Sequence, residues 1–376
     1  MNPIVRVIRS LPESYLLNIP QMFHMVILAG FIPWYIGVEN YGRLAAVFAI
    51  PGFFQSVFEA FCVTILIKYK RINILKFSII NTVLPLIACL SITFFLFLHP
   101  IQAILATTMT VFLFCRSFTF AVVISSGSLT RTIAMNEGLI FLCYIAIALL
   151  GVHFEIRDIT LPLAMISVAS AASFWHLLHS IRLNRIMVGD GNKDSNNPLP
   201  LNVVIGALTV RAYEDGLLTL SPLLLALTFS TTVAGQFRIL VSAIKVVYKL
   251  FPFRYEVVMR EVGSGRQSFG KLYLACLFYS LASVLIALIV YFFLLNEDSQ
   301  WLVPIVAASG AVASSLAVYP VSSVRDRRIL FTLMVGLLVT YLFSGLLGIF
   351  GFVVGFCFTT YIVMVSSLVV IRGVLK

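Results

Sequence analysis

Arg238, Lys245 and Lys249 stand at i, i+7 and i+11 in an otherwise apolar run. At about 100° per residue these positions fall within about 20° of a common direction on a helix, and at ~1.5 Å per residue they make a basic stripe about 16 Å long. Such a stripe can hold a compact anion. A lysine ammonium contributes a point charge and an arginine a bidentate fork. Snorkelling accounts for Arg238 near a helix end. Lys245 and Lys249 fall near the middle of the run, where snorkelling is hardest, so the spacing predicts a stripe that faces a cavity rather than lipid.

Five further ionisable groups lie inside apolar runs: Arg116, Arg211, Glu59, Glu214 and Asp215. Arg211 with Glu214 and Asp215 has i, i+3 and i+4 spacing, which permits an ion pair within one helix. The same acids can equally reach Lys245 across the next helix. Gln55 and Glu59 share a face just after Pro51-Gly52, and Asn18 and Gln21 flank Pro20. Taken together these embedded charges number five cations and three acids, a net positive balance that suits an anionic ligand. The competing reading is that they pair off to hold helices together. His24, His176 and His179 read as structural or interfacial groups.

The elements that carry these residues must lie in a bilayer. Of 376 residues, 60% are hydrophobic and only 11% charged, against about 25% charged in an ordinary soluble domain. Such a chain cannot cover a water-facing surface. The net charge of +11 does not point to nucleic acid, because the cations sit in short loops between apolar runs. The six cysteines each fall within an apolar run and form no CxxC pair, so neither a disulfide framework nor a metal site is expected. There is no phosphate-binding GxxxxGK[ST] loop, no HExxH and no loop long enough to fold as a catalytic domain. These absences argue against an enzyme, and no cofactor is expected.

A span needs about 20 apolar residues. The hydropathy pattern predicts an all-α integral membrane protein with twelve spans, at 15–36, 44–67, 77–98, 101–124, 138–153, 161–181, 201–227, 236–258, 271–294, 301–320, 329–349 and 351–371. The first is expected to act as an uncleaved signal anchor. With the N-terminus inside, nineteen basic loop residues are cytoplasmic, and only Arg43 and Arg157 lie outside. The positive-inside rule therefore predicts that both termini are cytoplasmic. The polar stretch Val188–Pro200 reads as a linker. It divides the chain into a lobe at 1–187, a cytoplasmic linker at 188–200 and a second lobe at 201–376, six spans on each side. Aligning Gly42 with Gly235, which open the second and eighth spans, gives an offset of 193 residues. That offset predicts parallel repeats related by a pseudo-two-fold along the membrane normal.

Two hairpins carry a family resemblance. Phe31 to Phe58, with its Gly37-Val-Glu-Asn-Tyr41-Gly42 turn, resembles the first hairpin of polysaccharide flippases of the multidrug/oligosaccharidyl-lipid/polysaccharide exporter superfamily. Asp215 to Pro252, with Asp215, the turn glycine Gly235 and Phe251-Pro252, is similar to the seventh-to-eighth-span hairpin of that family. The resemblance implies an O-antigen or similar repeat-unit flippase of the bacterial inner membrane. Its substrate would be an oligosaccharide on an undecaprenyl pyrophosphate carrier, moved by alternating access. Arg211, Lys245, Lys249, Arg116 and Arg238 would receive the pyrophosphate, and Glu59, Glu214 and Asp215 would bind a coupling proton or sodium ion. Membrane lipids and other glycan-assembly proteins would be the partners. A drug or small-solute exporter of the same superfamily, and a membrane enzyme of glycan assembly, are the alternatives.

Overall fold

The computed structural model describes residues 23–69, 99–125, 130–183, 209, 212–249, 269–295 and 297–374. These residues are helical throughout, with short turns and no strand among them. Six of the described helices are long and apolar enough to cross a bilayer. The chain is thus an all-α protein of the membrane. It divides into two compact units, Met1–Leu208 and Thr209–Lys376.

The described part of unit 1 opens with a short apolar helix that widens into a π-turn at Ile27–Phe31, continues as α1 (Ile32–Ile36) and turns at Gly37. The long helices α2 (Val38–Tyr69), α3 (Pro100–Ser125), α4 (Thr130–His153) and α5 (Thr160–Leu183) follow. Helix α3 packs between α2 and α5, and α4 packs on α5. The α3–α5 seam includes small and polar residues beside a Phe112–Phe174 ring contact. Ser167 donates to the carbonyl of Leu105 at 3.0 Å, and Ser170, Ala169 and Ala106 are buried beside medium-sized apolar groups. In lipid, apolar side chains gain nothing from leaving water, so close backbone approach and hydroxyl bonding must hold helices together.

The end of unit 1 gathered around Gly37, His99 and Glu155 is knit by polar contacts. Asn40 Nδ2 donates to the carbonyls of Ile36 and Arg157, at 3.0 and 3.2 Å. Gln102 donates to Asp158 at 3.3 Å, Asp158 accepts the Thr160 N–H at the start of α5, and the Arg157 guanidinium lies over the Tyr35 ring.

Unit 2 follows the same opening plan. A π-turn at Tyr213–Thr219 leads into α6 (Ser221–Thr228), a tight turn at Phe229–Ser230, and then α7 (Thr231–Lys249). Ser230 caps α7 by accepting the Val233 N–H at 3.2 Å. Helices α2 and α7 start at Val38 and Thr231, a separation of 193 residues, so the offset read from two glycines aligns the two turns as well. After α7 come α8 (Phe269–Leu294), a 3₁₀ turn at Glu297–Leu302 and α9 (Val303–Arg325).

The last helical run, α10 (Arg328–Val374), has 47 residues. As a straight rod it would be about 70 Å long, more than twice a bilayer core. It is not straight. At Gly348 the backbone has φ 64° and ψ −145°, a conformation open to glycine and strained for other residues. There the chain reverses into two antiparallel legs, matching the expected spans 329–349 and 351–371. The legs touch almost backbone to backbone. A Cβ added to Gly355 would lie 2.5 Å from Thr340 Cα, and the Thr340 and Thr359 hydroxyls are hydrogen-bonded at 3.0 Å.

The core of unit 2 is built on α7, α9 and the second leg of α10, with Phe237, Phe352 and Phe356 stacked edge to face. Helix α8 is mostly outside it, presenting Leu277, Phe278, Leu281, Leu285, Phe292 and Phe293, as a lipid-facing helix should.

The structure moves several expected boundaries: α2 begins at Val38 rather than 44 and α7 at Thr231 rather than 236. The fifth span was expected over 138–153, but α4 begins eight residues earlier, at Thr130, and so takes in Asn136 and Glu137. The expected span 77–98, the linker 188–200, Asn18 and Gln21 lie outside the described residues.

Candidate functional site

In unit 2 the π-turn decides where Glu214 goes. A π-turn spaces its residues more widely than an α-helix and leaves carbonyls in need of other donors. Both needs are met here. Thr219 Oγ1 donates to the Glu214 carbonyl at 3.3 Å, and Tyr341 Oη, from the first leg of α10, donates to the Gly216 carbonyl at 3.1 Å. Tyr213, fully buried, is pinned by its hydroxyl to Thr360 and by its ring to Tyr319. The segment is therefore held from two helices, and Glu214 leaves it from a fixed point.

The Glu214 side chain meets Lys245 on α7, with Oε1 3.0 Å from Nζ. Lys245 is only 8% exposed, in a helix whose neighbouring residues Ile239, Leu240, Val241 and Ile244 are all buried. An ammonium there requires a counter-charge, because its desolvation costs several kcal/mol. Glu214, about a quarter exposed, supplies it. Of the two pairings open to this acid, bonding across the hairpin to Lys245 is observed. Two residues before the stripe begins, Trp301 donates to Gln236 at 3.0 Å and ties α7 to the 3₁₀ turn.

The remaining expected residues of this unit are placed less fully. Arg238 is half-buried on α7, and no carboxylate among the described residues forms an ion pair with it. Lys249 is the last residue of α7, and Asp215 belongs to the π-turn. The side chains of both lie outside the described residues, as does Arg211.

Unit 1 contains a charge cluster that the sequence reading did not anticipate. Glu137 on α4 is fully buried, with Oε1 3.2 Å from Arg116 Nη2 on α3 and Oε2 3.8 Å from His24 Nδ1 on the opening helix. Arg116, one of the expected anion ligands, thus has a carboxylate partner within its own unit. The His24 ring also stands edge-on to Tyr144, two turns along α4 from Glu137, at 5.7 Å. Next to Arg116, Ser117 accepts a hydrogen bond from Gln55 at 3.1 Å, joining α3 to α2. Glu59 is on α2, with its side chain outside the described residues.

Counting Glu137 changes the electrostatics. The embedded acids become four against five cations, so the excess positive charge is smaller than the sequence suggested. The span expected at 138–153 is short and can borrow from Ala134 or Met135, and that extension, which the helix beginning at Thr130 makes, carries Glu137 into it.

Among the described residues no cluster of three or more His, Cys, Asp or Glu side chains is arranged to bind a metal. Cys115, Cys143, Cys276 and Cys357 are free thiols. Comparison with protein-family models, with curated proteins and with solved structures gives no match.

Proposed function

We propose that this chain is a transporter of a lipid-linked anion, a flippase that moves an undecaprenyl-pyrophosphate-linked oligosaccharide across the bacterial inner membrane by ion-coupled alternating access. One observation carries the reading: Lys245, buried in α7, is balanced by Glu214 from a braced π-turn. An ammonium held, among the described residues, by a partly exposed carboxylate is a cation that an incoming phosphate can take over. In this reading Glu214 keeps Lys245 charged while no substrate is bound. The pyrophosphate then displaces the carboxylate, and Lys249 and Arg238 extend the contact along the helix.

The proposed topology has twelve spans, both termini cytoplasmic and two parallel six-helix repeats. The loop charge bias supports the orientation. The equal placement of the turns before α2 and α7 and the fold-back at Gly348 support the repeat and the even span number. Cysteine labelling at Asn192 and Asp298 tests the orientation: Asp298 should label from outside and Asn192 should not.

The function is tested in proteoliposomes containing a fluorescent undecaprenyl-pyrophosphate glycan, with a membrane-impermeant reductant outside. Wild-type protein should make the inner-leaflet half of the probe accessible. The K245A variant should be slower by at least about tenfold while remaining folded in the membrane, and K245R should recover part of the rate. Wild-type vesicles that expose no more probe than empty ones would rule out the flippase reading. A K245A rate equal to wild type would remove Lys245 from the site.

A further inference from the structure

The cluster in unit 1 has a different design from the pair in unit 2. An Arg–Glu pair by itself would be a neutral strut between α3 and α4. Here the carboxylate is used on both sides, and unequally. Oε1 is bonded to Arg116 at 3.2 Å. Oε2 is fully buried and accepts no hydrogen bond among the described residues, while His24 Nδ1 stands 3.8 Å away. That spacing is ion-pair range, and about 1 Å longer than a formed N–H···O bond. Next to Glu137 in the chain, Asn136 is also fully buried, with neither end of its carboxamide hydrogen-bonded among the described residues. Burying so many polar groups with incomplete bonding is costly, and such arrangements persist where a site has a second state.

From this geometry we infer that His24 and Glu137 form a proton-binding site in unit 1, distinct from the Lys245–Glu214 pair. Histidine is the side chain whose ordinary range straddles physiological pH. Proton uptake turns the imidazole into an imidazolium, and its Nδ1–H closes onto Glu137 Oε2, drawing the opening helix toward α4. Proton release returns the neutral ring and reopens the gap. No other bond is made or broken, and each cycle moves one proton. The His24 side chain is 14% exposed and the carboxylate 0%, so the imidazole is the less enclosed member of the pair.

Among the described residues, few other titratable groups lie around the pair. Arg116 faces it from α3, and Tyr144 and Cys143 lie along α4. Helix α5, packed on α4, brings His176 and His179. The imidazolium on Oε2 and the guanidinium on Oε1 share one negative charge, so proton binding weakens the attraction that Arg116 feels. By reciprocity an anion that engages Arg116 favours proton uptake. The proton site stands on the geometry alone. Its use as the coupling site rests on the transporter reading above.

Two measurements separate these claims. The first is infrared difference spectroscopy of the membrane-reconstituted protein between roughly pH 5 and pH 8, the range in which imidazole titrates. Wild type should show coupled imidazolium and carboxylate bands that disappear in both E137Q and H24Q and remain in E39Q, an exposed acid paired only with Arg43. H24Q keeps the Arg116–Glu137 bond, so it stays informative if E137Q folds poorly. Spectra of H24Q and wild type that coincide would overturn the site.

The second measurement is the flipping rate of the same fluorescent glycan lipid with and without an imposed pH gradient. The ratio of the two rates should exceed one in wild type and fall to one in H24Q. An unchanged ratio in H24Q would overturn the coupling role. A wild type that flips nothing would overturn the transporter reading, and the infrared result would still decide the proton site.

Discussion

Two buried ion pairs, one in each unit, solve the same problem in opposite ways. In unit 1 the acid is the buried member. Glu137 is completely enclosed and is met by Arg116, about a quarter exposed, and by His24. In unit 2 the cation is the buried member: Lys245 is about a tenth exposed, and its acid Glu214 about a quarter. The enclosed partner cannot do without its counter-charge, and the less enclosed partner is the one open to exchange. Unit 1 is therefore built to retain an anion of its own and to vary the cations around it. Unit 2 retains a cation whose anion is replaceable. The first arrangement suits a proton, and the second suits a phosphate. The charge signs in the sequence do not reveal this difference. It depends on which partner the fold buries.

The sharpest way to break the comparison is to remove the exposed partner in each unit and compare the costs. R116A leaves Glu137 enclosed without its guanidinium, and the stability loss should be about 3–5 kcal/mol, seen as a large fall in the thermal midpoint in detergent. E214A leaves Lys245 unpaired, but at a site nearer solvent that can rehydrate, so about 1–3 kcal/mol is expected. If E214A costs as much as R116A, the two sites are equally closed and the contrast fails.

The α10 hairpin provides a reference in unit 2 that involves no charge. G355V forces a side chain against the Thr340 backbone and should cost roughly 1–3 kcal/mol by overpacking. Its transport rate per folded molecule should stay close to wild type, whereas that of E214A should not. Equal transport losses in the two variants would mean that Glu214 acts only through stability.

The smallest effect is expected at the exposed pair Glu39–Arg43, an i, i+4 bridge on the first turn of α2 with both side chains more than half exposed. R43A should change stability by no more than about 0.5 kcal/mol, measured by the same thermal unfolding. A larger loss would show that exposed charge at this end of unit 1 matters as much as buried charge, contrary to the ranking above.

Composition and hydropathy were enough to determine a good deal. They placed the chain in the membrane, located most of the helices within a few residues, set the turn spacing shared by α2 and α7 and marked the reversal near Gly348. These features follow from local rules. A bilayer requires about 20 apolar residues per crossing whatever lies beside them, and a positive φ selects glycine from the backbone alone. Lys245 was legible for the same reason, since a cation deep in an apolar helix stands out in one dimension.

The partners were decided by tertiary structure. The sequence spacing left Glu214 within reach of Arg211 nearby in the chain and of Lys245 across the turn, and the π-turn braced by Tyr341 and Thr219 brings it to Lys245. Glu137 stood just outside the expected span 138–153 and was given no role by the sequence. It became a buried site because α4 extends to Thr130 and because residues 21 positions before it and 113 positions before it converge on it. Periodicity along one helix reports the face on which a charge lies. Which side chain from another helix meets that face depends on packing between segments far apart in sequence, and that is where the chemistry of both sites was settled.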